Sequence, residues 1–415
     1  MPTTTAKQAI RRIGPSALLP TLVFAIGTGA VAPVIPLTAL AAGSSTTVAA
    51  LMAAMLGIGR IVGDVPAAKL ADRLGDRRAM AVAAAATTAS WTGCLVTDSV
   101  VALAVALLVV GMCTSTFNLA RQNYVAEVVP IHLRARALST LAGSQRIGMF
   151  IGPFLGAACI AATGLRAAYA VGVTSAVATG FLLLFVHDAE KARDRPPQLR
   201  GTTNTRDLFK SHRRLFFTLG LMVATVGAVR ATRQSVLPLW ADHIGMSATA
   251  ASLVFGIANF VDMSLFYPSG HVMDRWGRLA IAVPSMVILG AGLIVLPFTH
   301  GVVAFTLVAA AMSFGNGIGS GVMMTVGADS APTDNRTTFL SIWRLMSDLG
   351  QASGPLIPAA CAVFATLAVG IAITGGLGIV AAAGLAYWIP RYSTYATPRM
   401  ARAHREAATG VPPAD

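Results

Sequence analysis

The chain has 415 residues, of which 55% are hydrophobic and only 12% charged, with a mean hydropathy of +0.69. Soluble domains carry roughly 25% charged residues, so this composition excludes one large soluble core and points to many membrane spans. The formal charge of +14 would suit a nucleic-acid binder, but its distribution along the chain excludes a single soluble basic face.

A helical span needs about 20 mostly apolar residues. Six such runs lie at about 16–41, 47–70, 79–97, 100–126, 138–162 and 167–187. Six more follow at about 214–240, 247–270, 279–298, 301–327, 338–363 and 367–389. The first run follows Arg11 and Arg12 and superficially resembles a signal peptide. It is too long for the apolar stretch of one, so it is expected to be a retained helix. The segment 188–213, with Pro196-Pro197 and mixed charges, reads as a cytoplasmic linker. The expected organisation is an all-α membrane protein of twelve transmembrane helices in two pseudo-symmetric six-helix bundles. These are 1–187 and 214–390, with a cytoplasmic tail at 391–415.

Of the 31 Lys and Arg, 24 fall in the tails and in alternate loops on one side, one (Arg166) falls in the opposite loops, and six lie inside spans. By the positive-inside rule both termini are cytoplasmic. Cys94, Cys113, Cys159 and Cys361 all sit in apolar runs without paired spacing, so they read as packing residues, neither disulfides nor metal ligands. No phosphate-binding Gly-x-x-x-x-Gly-Lys-[Ser/Thr] loop is present. No cofactor, metal site or catalytic set is expected.

An internal repeat organises the chain. Asp72-Arg73-x-Gly75 returns 202 positions later as Asp274-Arg275-x-Gly277. The same offset relates Pro36 to Pro238, Glu127 to Asp329, Arg134 to Arg336, and Gly148, Gly152 and Pro153 to Gly350, Gly354 and Pro355. Parallel six-helix repeats imply a central cavity between the halves.

These residues resemble the major facilitator superfamily over essentially the whole chain. Its loop signature Gly-x-x-x-Asp-Arg-x-Gly-Arg-Arg is matched by Asp72, Arg73, Gly75, Arg77 and Arg78, with Ala68 and Asp76 as departures. The second copy keeps Gly270, Asp274, Arg275, Gly277 and Arg278. Gly148-x-x-x-Gly152-Pro153-x-x-Gly156 resembles the antiporter motif of the exporters, with Ala157 where a second Gly is usual. The resemblance implies a transporter working by alternating access. It also implies that Asp72 holds the first half against the start of the eleventh helix. Glu127 is expected to pair with the loop arginines, and Asp329 with Arg275 or Arg278. Gly148 to Gly156 reads either as a packed, kinked helix alone or as a bend that also governs leakage and direction.

Charges inside spans are costly and functional by default. They are Arg60 and Asp64 in the second span, Arg121 in the fourth, Arg146 in the fifth, Arg230 and Arg233 in the seventh, Asp262 in the eighth, and Arg344 and Asp348 in the eleventh. The repeat maps Arg60 onto Asp262 and Arg146 onto Asp348. In this superfamily helices two and eleven face each other, as do five and eight. Two cross-domain bridges follow, Arg60–Asp348 and Arg146–Asp262, expected to close the cytoplasmic side when formed. The competing pairing is local, Arg60–Asp64 and Arg344–Asp348; both are compatible in four-membered clusters. Asp262, Asp348 and Asp64 are the candidates for carrying a proton, with Asp262 and Asp348 preferred as the deepest.

The helices that line the cavity in this fold contribute Phe24 and Thr28, then Phe117, Asn118 and Arg121, then Arg230, Arg233 and Gln234, then Phe314 and Asn316. Arg230 and Arg233 read as binding an anionic group, as an outer gate, or as snorkelling to the surface. The expected function is proton-coupled export of small amphipathic organic compounds from a bacterial inner membrane. The alternatives are import of an organic anion or nutrient, and a non-transporting receptor. The expected partners are a small-molecule substrate, protons and the lipid bilayer, with the chain a monomer and no nucleic acid bound.

Overall fold

In a bilayer every backbone polar group must be paired within the protein, which leaves helices as the solution for long apolar runs. The computed structural model describes residues 13–129, 133–185, 205–332 and 335–400, and no strand occurs among them. The fold is all-α, with twelve helices in two six-helix bundles. They are α1 (Gly14–Ala41), α2 (Thr46–Leu74), α3 (Asp76–Val96), α4 (Val100–Val128), α5 (Arg134–Thr163) and α6 (Ala167–Leu184). There follow α7 (Arg213–His243), α8 (Ala248–Trp276), α9 (Leu279–Phe298), α10 (Val302–Ser330), α11 in two pieces (Arg336–Ser353 and Leu356–Phe364) and α12 (Leu367–Tyr392). Over these ranges all but α11 are long and apolar enough to cross a membrane, with short breaks in α1 at Ala32–Pro33, in α8 at Leu265 and in α10 at Gly319–Gly321.

A short helix, Thr205–Ser211, precedes α7. Of the expected linker, 188–204 lies outside the described residues. So do the tail to Arg12, the tail beyond 400, and Pro130, His132, His187 and His404.

Contacts group the chain into two compact units. One is Met1–Arg195 with Gln234–Met263 and Ala362–Phe364; the other is Pro196–Arg233 with Ser264–Cys361 and Ala365–Asp415. The first unit thus holds α1–α6 together with the last turns of α7 and the first part of α8.

Helices in lipid associate through close packing of small residues rather than through a hydrophobic drive. Gly59 and Gly63 of α2 do this against α4: a Cβ at Gly63 would stand 2.6 Å from the Met112 Cα. Gly148, Gly152 and Gly156 of α5 face α1, where a Cβ would strike the backbone at Leu22, Ile26 and Ala30. In the second unit Gly350 and Gly354 of α11 meet the backbone of α7 at Ala224 and Ala228. Ala224 and Ala228 are the 202-residue images of Leu22 and Ile26, so the repeat holds in packing as well as in sequence.

Two boundaries differ from the expected ones. The span expected at 47–70 runs on to Leu74, and the one expected at 79–97 begins at Asp76. Asp72 and Arg73 lie in the last turn of α2, and Asp76 already begins α3. One residue, Gly75, makes the reversal with φ +82°, and Gly277 does the same at +87°. Only glycine takes that conformation without strain. Charged helix ends project past the apolar layer, so hydropathy stops the helix a turn early. A further difference concerns α11, expected as one span over 338–363. Pro153 sits inside an unbroken α5, whereas its image Pro355 interrupts α11. Proline removes a donor in both helices. In α11 the Thr232 hydroxyl of α7 donates to the Gly354 carbonyl at 2.8 Å, which helps satisfy the opened turn. The equivalent position in α1 is Ala30, which has no hydroxyl.

Candidate functional site

The first unit contains a contact seam between α5 and α8, with both helices contributing polar and aromatic side chains. Arg146 Nη1 lies 2.6 Å from Asp262 Oδ2, with side-chain exposures of 24% and 15%. One turn along, Asn259 Nδ2 donates to the Met149 carbonyl at 3.0 Å. The Phe150 and Phe260 rings pack with centroids 5.3 Å apart. Beyond them Gly256 makes room for the Phe154 ring, since a Cβ there would stand 2.7 Å from Phe154 Cε2. The seam residues recur every three to four positions, so they form one stripe on each helix. On α5 that stripe lies on a different face from Gly148, Gly152 and Gly156, which meet α1. The helix is therefore held on one side by backbone packing and on the other by an ion pair with tilted, packed rings. The seam runs from the ion pair toward the Ala248 end of α8, away from the Gly277 turn.

Inside the same unit Phe24 and Phe117 stack at 4.4 Å with their planes 12° apart. Thr28 Oγ1 donates to its own helix at the Phe24 carbonyl, 2.7 Å away. Arg121 is 6% exposed and donates to Gln145 Oε1 on α5 at 2.5 Å. Asn118 is half-buried and Gln234 exposed. Gln145 was not singled out in the sequence. Its one signal is a polar amide beside Arg146 in an otherwise apolar run. A cavity of about 340 Å³ opens where α1, α7 and α8 end, lined by Leu37, Leu40, Leu165, Asp242 and Ala248.

The second unit has its own cationic cluster. Arg233 is 2% exposed and donates to Ser313 Oγ at 2.6 Å. Arg230 Nη2 donates to the Gly319 carbonyl at 2.7 Å, where α10 is interrupted between Ile318 and Val322. Asn316 lies one turn before that interruption and is half-buried, while Phe314 is exposed. Burial of Arg233 removes it from the snorkelling reading.

The three carboxyls within spans have different partners. Asp262 has Arg146. Asp348 lies 3.7 Å from Arg344 Nε one turn away and accepts from Gln351 Nε2 at 3.3 Å. Asp64 accepts a short hydrogen bond from the Ser115 hydroxyl on α4.

At the glycine turns the two halves diverge. Arg77 caps the end of α6, donating to the Leu183 and Leu184 carbonyls at 2.8 and 2.6 Å; a cation at a helix C-terminus is favoured there. Asp76 is buried near the Asn123 amide, while Asp72, Arg73, Arg78 and Glu127 are exposed. In the second unit Arg278, the repeat image of Asp76, pairs with Asp329 at 3.0 Å and lies 3.5 Å from Asp274, while Arg275 is exposed. The segment after α12 closes over this pair. Arg278 and Leu279 N–H groups donate to the Tyr395 and Ala396 carbonyls at 3.2 and 3.1 Å. The Ser393 hydroxyl donates to Asp329 at 2.9 Å.

Among the described residues no cluster of three or more His, Cys, Asp or Glu is placed to hold a metal.

Comparison with known proteins agrees with this architecture. The family model described as Major Facilitator Superfamily matches residues 17–355 and 219–409. No protein of curated function matches the sequence. Among solved structures, the xylose transporter XylE from E. coli in an inward open conformation is similar, with a TM-score of 0.68 and 16% identity, over 93% of this chain and 98% of that one. A transporter of the POT family in complex with 5-aminolevulinic acid superposes with a TM-score of 0.75 and 13% identity, over 92% and 96%. A human organic anion transporter does so with a TM-score of 0.64 and 15% identity, over 90% and 99%. At these identities the likeness is one of fold.

Proposed function

The chain belongs to the major facilitator superfamily, and from that premise we propose that this transporter is a proton-coupled exporter of small amphipathic organic compounds. It works by alternating access, as a monomer in a bacterial inner membrane with both termini cytoplasmic. The observation that carries the reading is the Arg146–Asp262 ion pair at the end of the α5–α8 seam. A partly buried ion pair within a span is worth retaining when it is made in one state and broken in another. Losing one partner of a fully buried pair costs about 3–5 kcal/mol; a partly buried pair costs less, which still shifts a two-state population. The gate is this pair, which closes the cytoplasmic side when formed. The Gly148-Gly152-Pro153-Gly156 pattern supports export. The stacked Phe24 and Phe117, with the Arg121–Gln145 pair one turn further along α4, suit a solute with an apolar body and polar groups.

Import of an organic anion is the second reading, favoured by the buried Arg121 and Arg233. The fold is shared with proteins described as a D-xylose-proton symporter and an organic anion transporter.

The test uses the full chain in liposomes, with ethidium as an amphipathic cation and fluorescein as an amphipathic anion. An imposed proton gradient is expected to drive accumulation of a probe, and a protonophore to collapse it. Inside-out vesicles then give the direction. Accumulation indifferent to the gradient would contradict proton coupling.

A further inference from the structure

The three carboxyls inside the spans are not equivalent in what protonation would do to them. Asp262 faces a guanidinium, which can only donate hydrogen bonds. A proton on Asp262 would break the 2.6 Å ion pair with Arg146 and take the charge complement from a cation inside the membrane. Asp348 has Arg344 one turn away at 3.7 Å and the Gln351 amide, which donates to it. Asp64 is held differently: its described partner is the Ser115 hydroxyl. A hydroxyl carries one donor and two acceptor positions and rotates to suit. Ser115 can donate to the carboxylate, or accept from the carboxylic acid while turning its own hydrogen to a backbone carbonyl. The hydrogen bond therefore survives in both protonation states.

The packing fixes this contact. Gly59 and Gly63 bring α2 backbone to backbone with Gly111 and Met112 of α4, with a prospective Cβ at Gly59 only 3.0 Å from the Gly111 Cα. Asp64 and Ser115 are the next residues along the same seam. Pro66 follows two residues later, inside the helix. The other charged residues on the elements packed against Asp64 are Arg60, Lys69, Asp72 and Arg73 on α2, and Arg121 and Glu127 on α4. On α3 they are Asp76, Arg77 and Arg78 at its turn; α1 carries none. A carboxyl inside a span is a functional candidate by default, and Asp64 is held there by a hydroxyl that can pair with either of its protonation states.

We propose that Asp64 is the residue that takes up and releases the transported proton, with Ser115 positioning its carboxyl in both states, while Arg146–Asp262 remains a gate. An O–H bond forms between a proton delivered by water on one side and an Asp64 carboxyl oxygen, and the same bond breaks to water on the other side. No electron moves. This assignment rests on the proton-coupled reading above, and it departs from the sequence, in which Asp262 and Asp348 stood first because they lie deepest.

The experiment is an infrared pH titration of the full chain in lipid, read at the carboxylic C=O stretch, for wild type, Asp64→Asn, Asp262→Asn and Ser115→Ala. Wild type is expected to give a protonated-carboxyl band that Asp64→Asn lacks, that Asp262→Asn keeps, and that Ser115→Ala shifts in frequency without abolishing. Persistence of the band in Asp64→Asn, or its loss in Asp262→Asn, would overturn the assignment. No change in Ser115→Ala would overturn the positioning role. The readout needs no solute, so it fails or stands apart from gradient-driven transport. If the liposome assay shows no coupling while the band behaves as expected, the transport reading falls and the proton site does not.

Discussion

Asp329 and Glu127 occupy equivalent positions of the repeat, yet they do different work. Asp329 and Arg278 are each 11% exposed and lie 3.0 Å apart, with the Ser393 hydroxyl on the same carboxylate. Glu127 is exposed, and its half replaced the matching arginine with Asp76. Neutralising a mostly buried, hydrogen-bonded partner leaves the other charge poorly compensated, whereas an exposed carboxylate is already solvated. Asp329→Asn is therefore expected to lower stability by about 1–3 kcal/mol, and Glu127→Gln by less than about 0.5 kcal/mol. Thermal unfolding of the purified variants in detergent checks this. Equal losses would mean that the two glycine turns are held in the same way after all.

At the scale of elements, α5 and α11 are bound to α1 and α7 by backbone contact at glycines. Gly152 has no room for a side chain against Ile26 and Ala30. Gly152→Val must push α5 off α1, and overpacking of this kind costs about 1–3 kcal/mol. Gly93, whose prospective Cβ meets nothing, is the control, and Gly93→Val should leave unfolding close to wild type. A second element-level expectation concerns the strap after α12. Ending the chain at Tyr392 removes the acceptors of the Arg278 and Leu279 N–H groups and the hydroxyl on Asp329. The truncated protein should unfold at a lower temperature than the full chain, and Asp329→Asn should cost it less than it costs the full chain. Additive losses would show that the strap does not act through Asp329.

Much of this was legible along the chain, for physical reasons. Long apolar runs have no other stable form in a bilayer, so the helices could be counted. Charges inside spans demand partners, which drew attention to Arg146, Asp262 and Arg121. Their uncharged partners were hidden: Gln145, Asn259 and Ser115 are residue types that occur in spans without any contact of note. The interruption of α11 was hidden as well: Pro153 and Pro355 occupy equivalent places in the repeat, and the Thr232 hydroxyl that bonds to the opened turn comes from another helix. Nothing local marks Tyr395-Ala396 as the cover of the Gly277 turn. That pairing exists only once α8, α9 and α12 are folded.

For the whole molecule, the proposed orientation with both termini cytoplasmic rests on the distribution of Lys and Arg, 24 of 31 being assigned to one side. Protease added to inside-out vesicles should cut within 188–204 or the C-terminal tail, while intact cells should be protected. Cleavage from the outside would reverse the topology and, with it, the direction assigned to transport.

The central claim is that Arg146 and Asp262 gate the pathway as a pair. The measurement that tests it most directly is the initial rate of gradient-driven probe accumulation in liposomes for Arg146→Asp, Asp262→Arg and the double exchange. Each single variant places two like charges at a 2.6 Å contact and should be inactive, while the double exchange restores an ion pair and should recover transport. A double exchange no better than either single variant would contradict the account.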